Sequence, residues 1–157
     1  MAQPLKNTAA LFAILAGLIS IPLSWMTIYG AQFTDGAGNR FPIPIDEFKV
    51  LGFSVTGING SFTFLFETPI WFLVGIAISA NVLQLMHNST QFAIPSFAEW
   101  ATALFGFIGI GLGICVALFS DKVTLGIGSL MGLFCAGVAL LCLVVPTSDQ
   151  QDSLMES

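Results

Sequence analysis

The chain has 157 residues, of which 55% are hydrophobic and 8% carry a formal charge, against about 25% charged in an ordinary soluble domain. Four basic and nine acidic side chains cannot solvate the surface of a soluble fold of this length, so lipid is the expected solvent. The net charge of -5 argues against a nucleic-acid partner, because phosphate neutralisation needs clustered Lys and Arg.

Four stretches lack Asp, Glu, Lys, Arg and His: 8–30, 69–86, 100–120 and 123–146. About 20 residues at a rise of 1.5 Å cover the roughly 30 Å hydrocarbon layer. Unbroken apolar runs indicate helices, where a barrel would show alternation. The expected fold class is an all-α membrane protein, a four-helix transmembrane bundle with a small β-hairpin in the long first loop. A short tail, 1–7, precedes the first helix, and an acidic, disordered tail, 147–157, follows the last.

Lys6 ahead of the run Ala9 to Leu23 has the order of a signal peptide. The run is long for that purpose, and Trp25 to Tyr29, where cleavage would fall, are bulky. A retained helix over 8–30 is expected, with a kink near Leu18 because Pro22 removes a backbone donor. Aromatic residues favour the membrane interface. Trp25 and Tyr29 accordingly close the first span and Trp71 opens the second on one side, while Trp100 opens the third on the other.

The loop 31–68 divides into an irregular and a patterned part. Asp35 to Asn39 is turn chemistry, and Phe41-Pro42-Ile43-Pro44 reads as extended chain. Asn59-Gly60 between two strand-like runs is a strong hairpin signal and predicts a hairpin over about 49–66. Such a turn pairs Val55 with Phe64 and Phe53 with Phe66 on an apolar face, which should rest on helix ends, the interface or a partner.

In the second span, Asn81 and Gln84 are the amides at membrane depth, and their i, i+3 spacing puts them near one face. Buried amides need partners. Ser20, Ser24 and Thr27 are the candidates, with a substrate or ion pathway as the alternative. His87 at the end of this span reads as an interfacial polar residue rather than a ligand. Asp35, Asn39, Asp46 and Glu47 do not follow the spacing of a calcium loop. Asn59-Gly60-Ser61 and Asn88-Ser89-Thr90 match the glycosylation acceptor on opposite membrane sides, so at most one is usable.

Small residues recur four apart in the last two spans: Gly109, Gly113 and Ala117, then Gly128, Gly132 and Ala136. Such stripes let backbones approach closely. The short turn at Asp121-Lys122 implies that the two stripes face each other, with homodimerisation through one of them as the alternative. Cys115, Cys135 and Cys142 all lie in apolar runs and read as small hydrophobes.

The order of elements, a helix, a sheet-bearing loop and three further helices with a tight final turn, resembles the claudin-type tetraspan arrangement. That family's first loop carries a Trp, a Gly-Leu-Trp and two cysteines, whereas no Trp or Cys occurs between Tyr29 and Trp71 here. The resemblance implies topology and transfers no functional residue.

No nucleophile with a base, paired carboxylates at membrane depth, phosphate-binding glycine loop or metal cluster stands out, so no enzyme activity, cofactor or metal is expected. The expectation is a non-enzymatic scaffold, assembly or accessory subunit, with a small transporter or channel subunit for neutral solutes as the alternative. Its expected partners are the lipid bilayer and either a second copy or another membrane protein. Lys6 and the N-terminal amine before the first span favour a multi-pass protein of a plasma or bacterial inner membrane with its N-terminus inside. The basic residues Arg40, Lys49 and Lys122 argue for the reverse orientation.

Overall fold

A computed structural model describes residues 3–28, 33–34, 40–41, 53–63, 67–89, 95–120 and 123–145. Four helices carry the fold among these residues: α1 (Gln3–Ser20), α2 (Ile70–Ser89), α3 (Ser96–Leu118) and α4 (Ile127–Val144). Seven short strands lie between them: β1 (Ser24–Ile28), β2 (Phe33–Thr34), β3 (Arg40–Phe41), β4 (Phe53–Thr56), β5 (Ser61–Thr63), β6 (Glu67–Pro69) and β7 (Val123–Leu125).

Among the described residues, three helical stretches are long and apolar enough to cross a membrane: Ile70–Asn88, Ser96–Leu118 and Ile127–Val144, with mean hydropathies of 1.6, 2.2 and 2.4. They point to a membrane-embedded protein. Side-chain distribution agrees, because many large apolar residues face outwards, and small residues make up most of the buried helical positions alongside Ile70, Leu73, Val74, Ile110 and Ile114. Leu104, Phe105, Ile108, Leu112 and Val116 of α3 are exposed, while Ala103, Gly106, Gly113 and Ala117 are buried. In α4, Leu130, Phe134 and Leu141 are exposed around a buried row of Gly128, Gly132, Ala136 and Ala139. In α1, Leu11, Phe12, Leu15 and Leu18 face out, and Ala10, Ala13 and Gly17 face in. Helices in lipid gain little from burying large apolar groups, so close backbone approach through small residues governs their packing.

The first helix departs from the expected span 8–30. It starts at Gln3 and stops at Ser20, and 24–28 is strand β1. Pro22 therefore ends the helix instead of kinking it: it disfavours α conformation at Ile21, and its ring cannot donate to the preceding turn. The last carbonyls are satisfied locally, since the Trp25 indole Nε1 donates to the Ser20 carbonyl at 2.8 Å.

β1 is the central strand of a three-stranded antiparallel sheet of order β4-β1-β7. It pairs Met26, Thr27 and Ile28 with Val55, Ser54 and Phe53 on one edge and with Leu125, Thr124 and Val123 on the other. The register slips between Ser24 and Met26. This irregularity lets the consecutive residues Trp25 and Met26 both be buried, which simple alternation forbids.

Among the described residues, the strands on either side of the turn expected within 49–66 pair elsewhere rather than with each other. β4 pairs with β1, and β5 pairs with β6, matching Ser61, Phe62 and Thr63 with Pro69, Thr68 and Glu67. The turn itself is present: Asn59 Oδ1 accepts from the Thr56 amide at 2.8 Å and from its hydroxyl at 3.0 Å, and Gly60 N donates to the Thr56 carbonyl at 2.9 Å. Asn59-Gly60 thus hands the chain from one sheet to another. The proposed partners Phe64 and Phe66 lie outside the described residues, as do the Asp35 to Asn39 turn apart from its flanking strands, Asp121-Lys122 and the tail 147–157. The fourth helix likewise begins later than residue 123, because 123–125 is β7.

Candidate functional site: a polar vestibule at one end of the bundle

The small-residue stripes of α3 and α4 receive aromatic and aliphatic side chains from elsewhere rather than facing each other. A Cβ at Gly132 would overlap the six-membered ring of Trp25, and one at Gly128 would lie 2.8 Å from Trp25 Cδ1. A Cβ at Gly113 would overlap the ring of Phe62, and one at Gly109 would come within 2.8 Å of Leu73 Cδ2. Ala117 and Ala136 are buried. Trp25 and Phe62 meet edge to face at 6.5 Å between centroids. The stripes hold a plug at the sheet end of the bundle, in which Trp25, Ile70, Val74 and Ile110 are fully buried.

The amides of α2 also find partners other than the expected Ser20, Ser24 and Thr27. Asn81 Nδ2 donates to the Ala77 carbonyl at 2.9 Å and across to the Cys135 carbonyl of α4 at 3.0 Å. Gln84 Nε2 donates to the Ala139 carbonyl at 2.6 Å. A carbonyl only accepts, so these contacts fix which end of each amide is nitrogen. Asn81 Oδ1 and Gln84 Oε1 are consequently buried without a hydrogen-bond donor. The serine of α1 turns inward on its own helix, with Ser20 Oγ donating to the Gly17 carbonyl at 2.7 Å.

At the end away from the sheet, the four helix ends enclose a polar cavity of about 440 Å³. Its wall includes Gln3 and Lys6 of α1, Gln84, His87 and Asn88 of α2, Glu99 of α3, and Cys142 and Leu143 of α4. Lys6 is 8% exposed and donates to the carbonyls of Cys142 (2.9 Å) and Val145 (2.5 Å). A cation at the C-terminus of α4 satisfies its orphan carbonyls and opposes its dipole. Glu99 is 6% exposed. His87 Nδ1 lies at ion-pair distance from Glu99 Oε1, 2.9 Å, although no donor hydrogen is aligned on that oxygen. Asn88 Nδ2 donates to Asn7 Oδ1 at 2.9 Å and ties α2 to α1 beside the cavity.

Comparison with known proteins identifies no relative: no family model, curated protein or solved structure matches this chain.

His87 and Glu99 lie outside the charge-free spans read from the sequence. α3 starts at Ser96 instead of 100, which brings Glu99 into a helix, and α2 runs to Ser89, which does the same for His87. An acidic residue in a first helical turn and a basic one in a last turn both suit the helix dipole. That preference is the available signal, and it lies just outside the charge-free stretches. Lys6 was visible only as a topological marker. Nothing in its local sequence indicates the carbonyls of residues 142 and 145, more than 130 positions away. Asn59 and Gly60 lie at the opposite end, next to β4 and β5.

Proposed function

We propose that the chain is a four-span integral membrane protein with no enzymatic activity, serving as an accessory or assembly subunit. The observation that carries this reading is the asymmetry of the bundle interior. A polar vestibule opens at one end, and the other end is plugged by fully buried Trp25, Ile70, Val74 and Ile110. Among the described residues, the fully buried side chains of this plug weigh against a through-channel and favour a protein that works through its surfaces. The outward apolar face of α1 supports counting it as the fourth span, at about 27 Å for its 18 residues. The claudin-like order of elements belongs to the same proposal.

One outward feature suits contact with another helix. Half-buried Gly75 and exposed Ser79 lie four apart on α2, where a Cβ at Gly75 would meet nothing within 4 Å. A small pair of this kind lets a neighbouring helix approach closely. The test is Gly75→Leu, compared with wild type by chemical crosslinking in native membranes and by thermal unfolding after purification. The expected outcome is loss of crosslinked assemblies with stability retained. A chain that is never crosslinked, or whose assemblies survive Gly75→Leu and Ser79→Leu together, would sink the accessory role.

The neutral-solute transporter remains the second reading because Gln84 lines the vestibule and Asn81 lies one turn deeper with its oxygen unpaired. Solute uptake into vesicles that is lost in Asn81→Leu would favour it.

A further inference from the structure

The turn at Asn59-Gly60 holds chemistry that the bundle does not use. It is the single Asn-Gly pair in the sequence. Asparagine followed by glycine is the pair most open to deamidation, because the second residue has no side chain to hinder ring closure. Asn59 is exposed, so burial does not shield it from water or base.

Packing keeps this pair in place. Gly60 is buried, and a Cβ there would overlap Val55 Cγ1 and lie 2.7 Å from Ile70 Cδ1 and from the Thr56 carbonyl oxygen. Asn59 supplies the acceptor for the Thr56 amide and hydroxyl. The turn also closes the start of α2. Ile70 N donates to the Gly60 carbonyl at 2.9 Å and Trp71 N to the Gly57 carbonyl at 3.1 Å, which satisfies two amides that a helix leaves without internal partners. A chemically labile pair therefore sits where the cap of α2 depends on it.

Hydrogen bonding stands against the reaction. Ring closure requires Gly60 N to lose its proton and attack Asn59 Cγ. That N–H donates to the Thr56 carbonyl at 2.9 Å, while the Asn59 side-chain oxygen accepts from Thr56 N at 2.8 Å and from Thr56 Oγ1 at 3.0 Å. Both reacting groups are tied to residue 56 and must be released before they meet. Each bond that has to break slows the step by about two- to tenfold.

We propose that Asn59 is a latent deamidation site, kept intact by Thr56 while the turn stays docked on α2. When the turn opens, Gly60 N gives its proton to base and bonds to Asn59 Cγ. The Cγ–Nδ2 bond breaks, and the nitrogen takes up a proton and leaves as ammonia. Water then opens the succinimide at either carbonyl, giving aspartate or isoaspartate. Aspartate retains an acceptor for Thr56. Isoaspartate adds a carbon to the backbone ahead of Gly60, which then cannot meet Thr56 and Ile70 in the same register, so conversion loosens the start of α2. The inference rests on this turn and not on the accessory role or the vestibule.

The experiment incubates the purified full chain at mildly alkaline pH, folded in detergent and unfolded in guanidinium. Mass spectrometry of the proteolytic peptide containing residue 59 follows the conversion of Asn to Asp, and isoaspartyl methylation counts the second product. Deamidation should be at least about tenfold slower in the folded chain. Folded Thr56→Val should react several-fold faster than wild type and at the wild-type rate once unfolded, whereas Thr56→Ser, which keeps the hydroxyl, should stay near wild type. Ser54→Ala, which loses the bond to Ser24 Oγ on the same strand, should leave the rate unchanged. Equal rates in the folded and unfolded wild-type chain would overturn the proposal. So would an unchanged rate in folded Thr56→Val, or an equal acceleration by Ser54→Ala, which would mean general loosening of β4. If Thr56→Val does not fold, the ratio of folded to unfolded rates in wild type decides the question.

Discussion

Trp25 organises the sheet end of the molecule through three kinds of contact. Its ring fills the space left by Gly128 and Gly132, its edge meets Phe62, and its indole N–H closes the end of α1. Trp25→Ala should lower stability by about 3–5 kcal/mol, the range for truncating a large buried aromatic residue. Denaturant or thermal unfolding in detergent is the check. Gly132→Val tests the same contact from the other side. The added side chain collides with the ring, so a loss of about 1–3 kcal/mol is expected from overpacking. Asn81→Leu should behave differently. It removes the bond to the Cys135 carbonyl and, with it, a buried unpaired oxygen, so the two effects oppose each other and the net change should stay within about 1 kcal/mol.

For the helices and strands, the glycines separate into two groups that sequence spacing does not distinguish. Gly75 and Gly111 have open space where a Cβ would go, whereas a Cβ at Gly126 would overlap the Ser24 carbonyl and one at Gly113 the ring of Phe62. Gly75→Ala and Gly111→Ala should therefore stabilise by up to about 1 kcal/mol through helix propensity. Gly126→Ala and Gly113→Ala should destabilise, and unfolding temperatures of the four variants would show the split. The strands were the less legible elements. Trp25 to Ile28 and Val123 to Leu125 read as continuations of apolar runs, and a short apolar run does not by itself distinguish strand from helix. Pro22 and Gly126 were the local signs of a boundary. Asn59-Gly60 did specify a turn, but the strand before it found its partner in β1, about 30 positions back. A turn signal fixes the local backbone and leaves open which edge the flanking strands will join.

Across the whole molecule, residues from both ends of the chain and from the α2–α3 junction surround one cavity, while β1, β4 and β7 gather at the other end. A four-span arrangement therefore makes a specific topological prediction. In a cysteine-free background, Phe97→Cys and Ile58→Cys, both at exposed positions, should be labelled by an impermeant maleimide from opposite sides of sealed vesicles. Labelling of both from one side would contradict the arrangement.

The vestibule was less apparent from the sequence than the bundle. Gln84 was identifiable as a polar residue in an apolar span, but Lys6 reads as an orientation marker, His87 as an interfacial polar residue and Glu99 as a charge outside the third span. The sequence by itself determined the solvent and the main helices, because a scarcity of charge and long apolar runs are properties of composition and order. The tertiary structure decided where α1 stops, which strand pairs with which, and that the small residues accommodate Trp25 and Phe62. It also brought Lys6, Gln84 and Glu99 around one cavity. The physical reason is range: solvent preference is summed residue by residue along the chain, whereas pairing, notch filling and charge clustering depend on atoms brought together by packing.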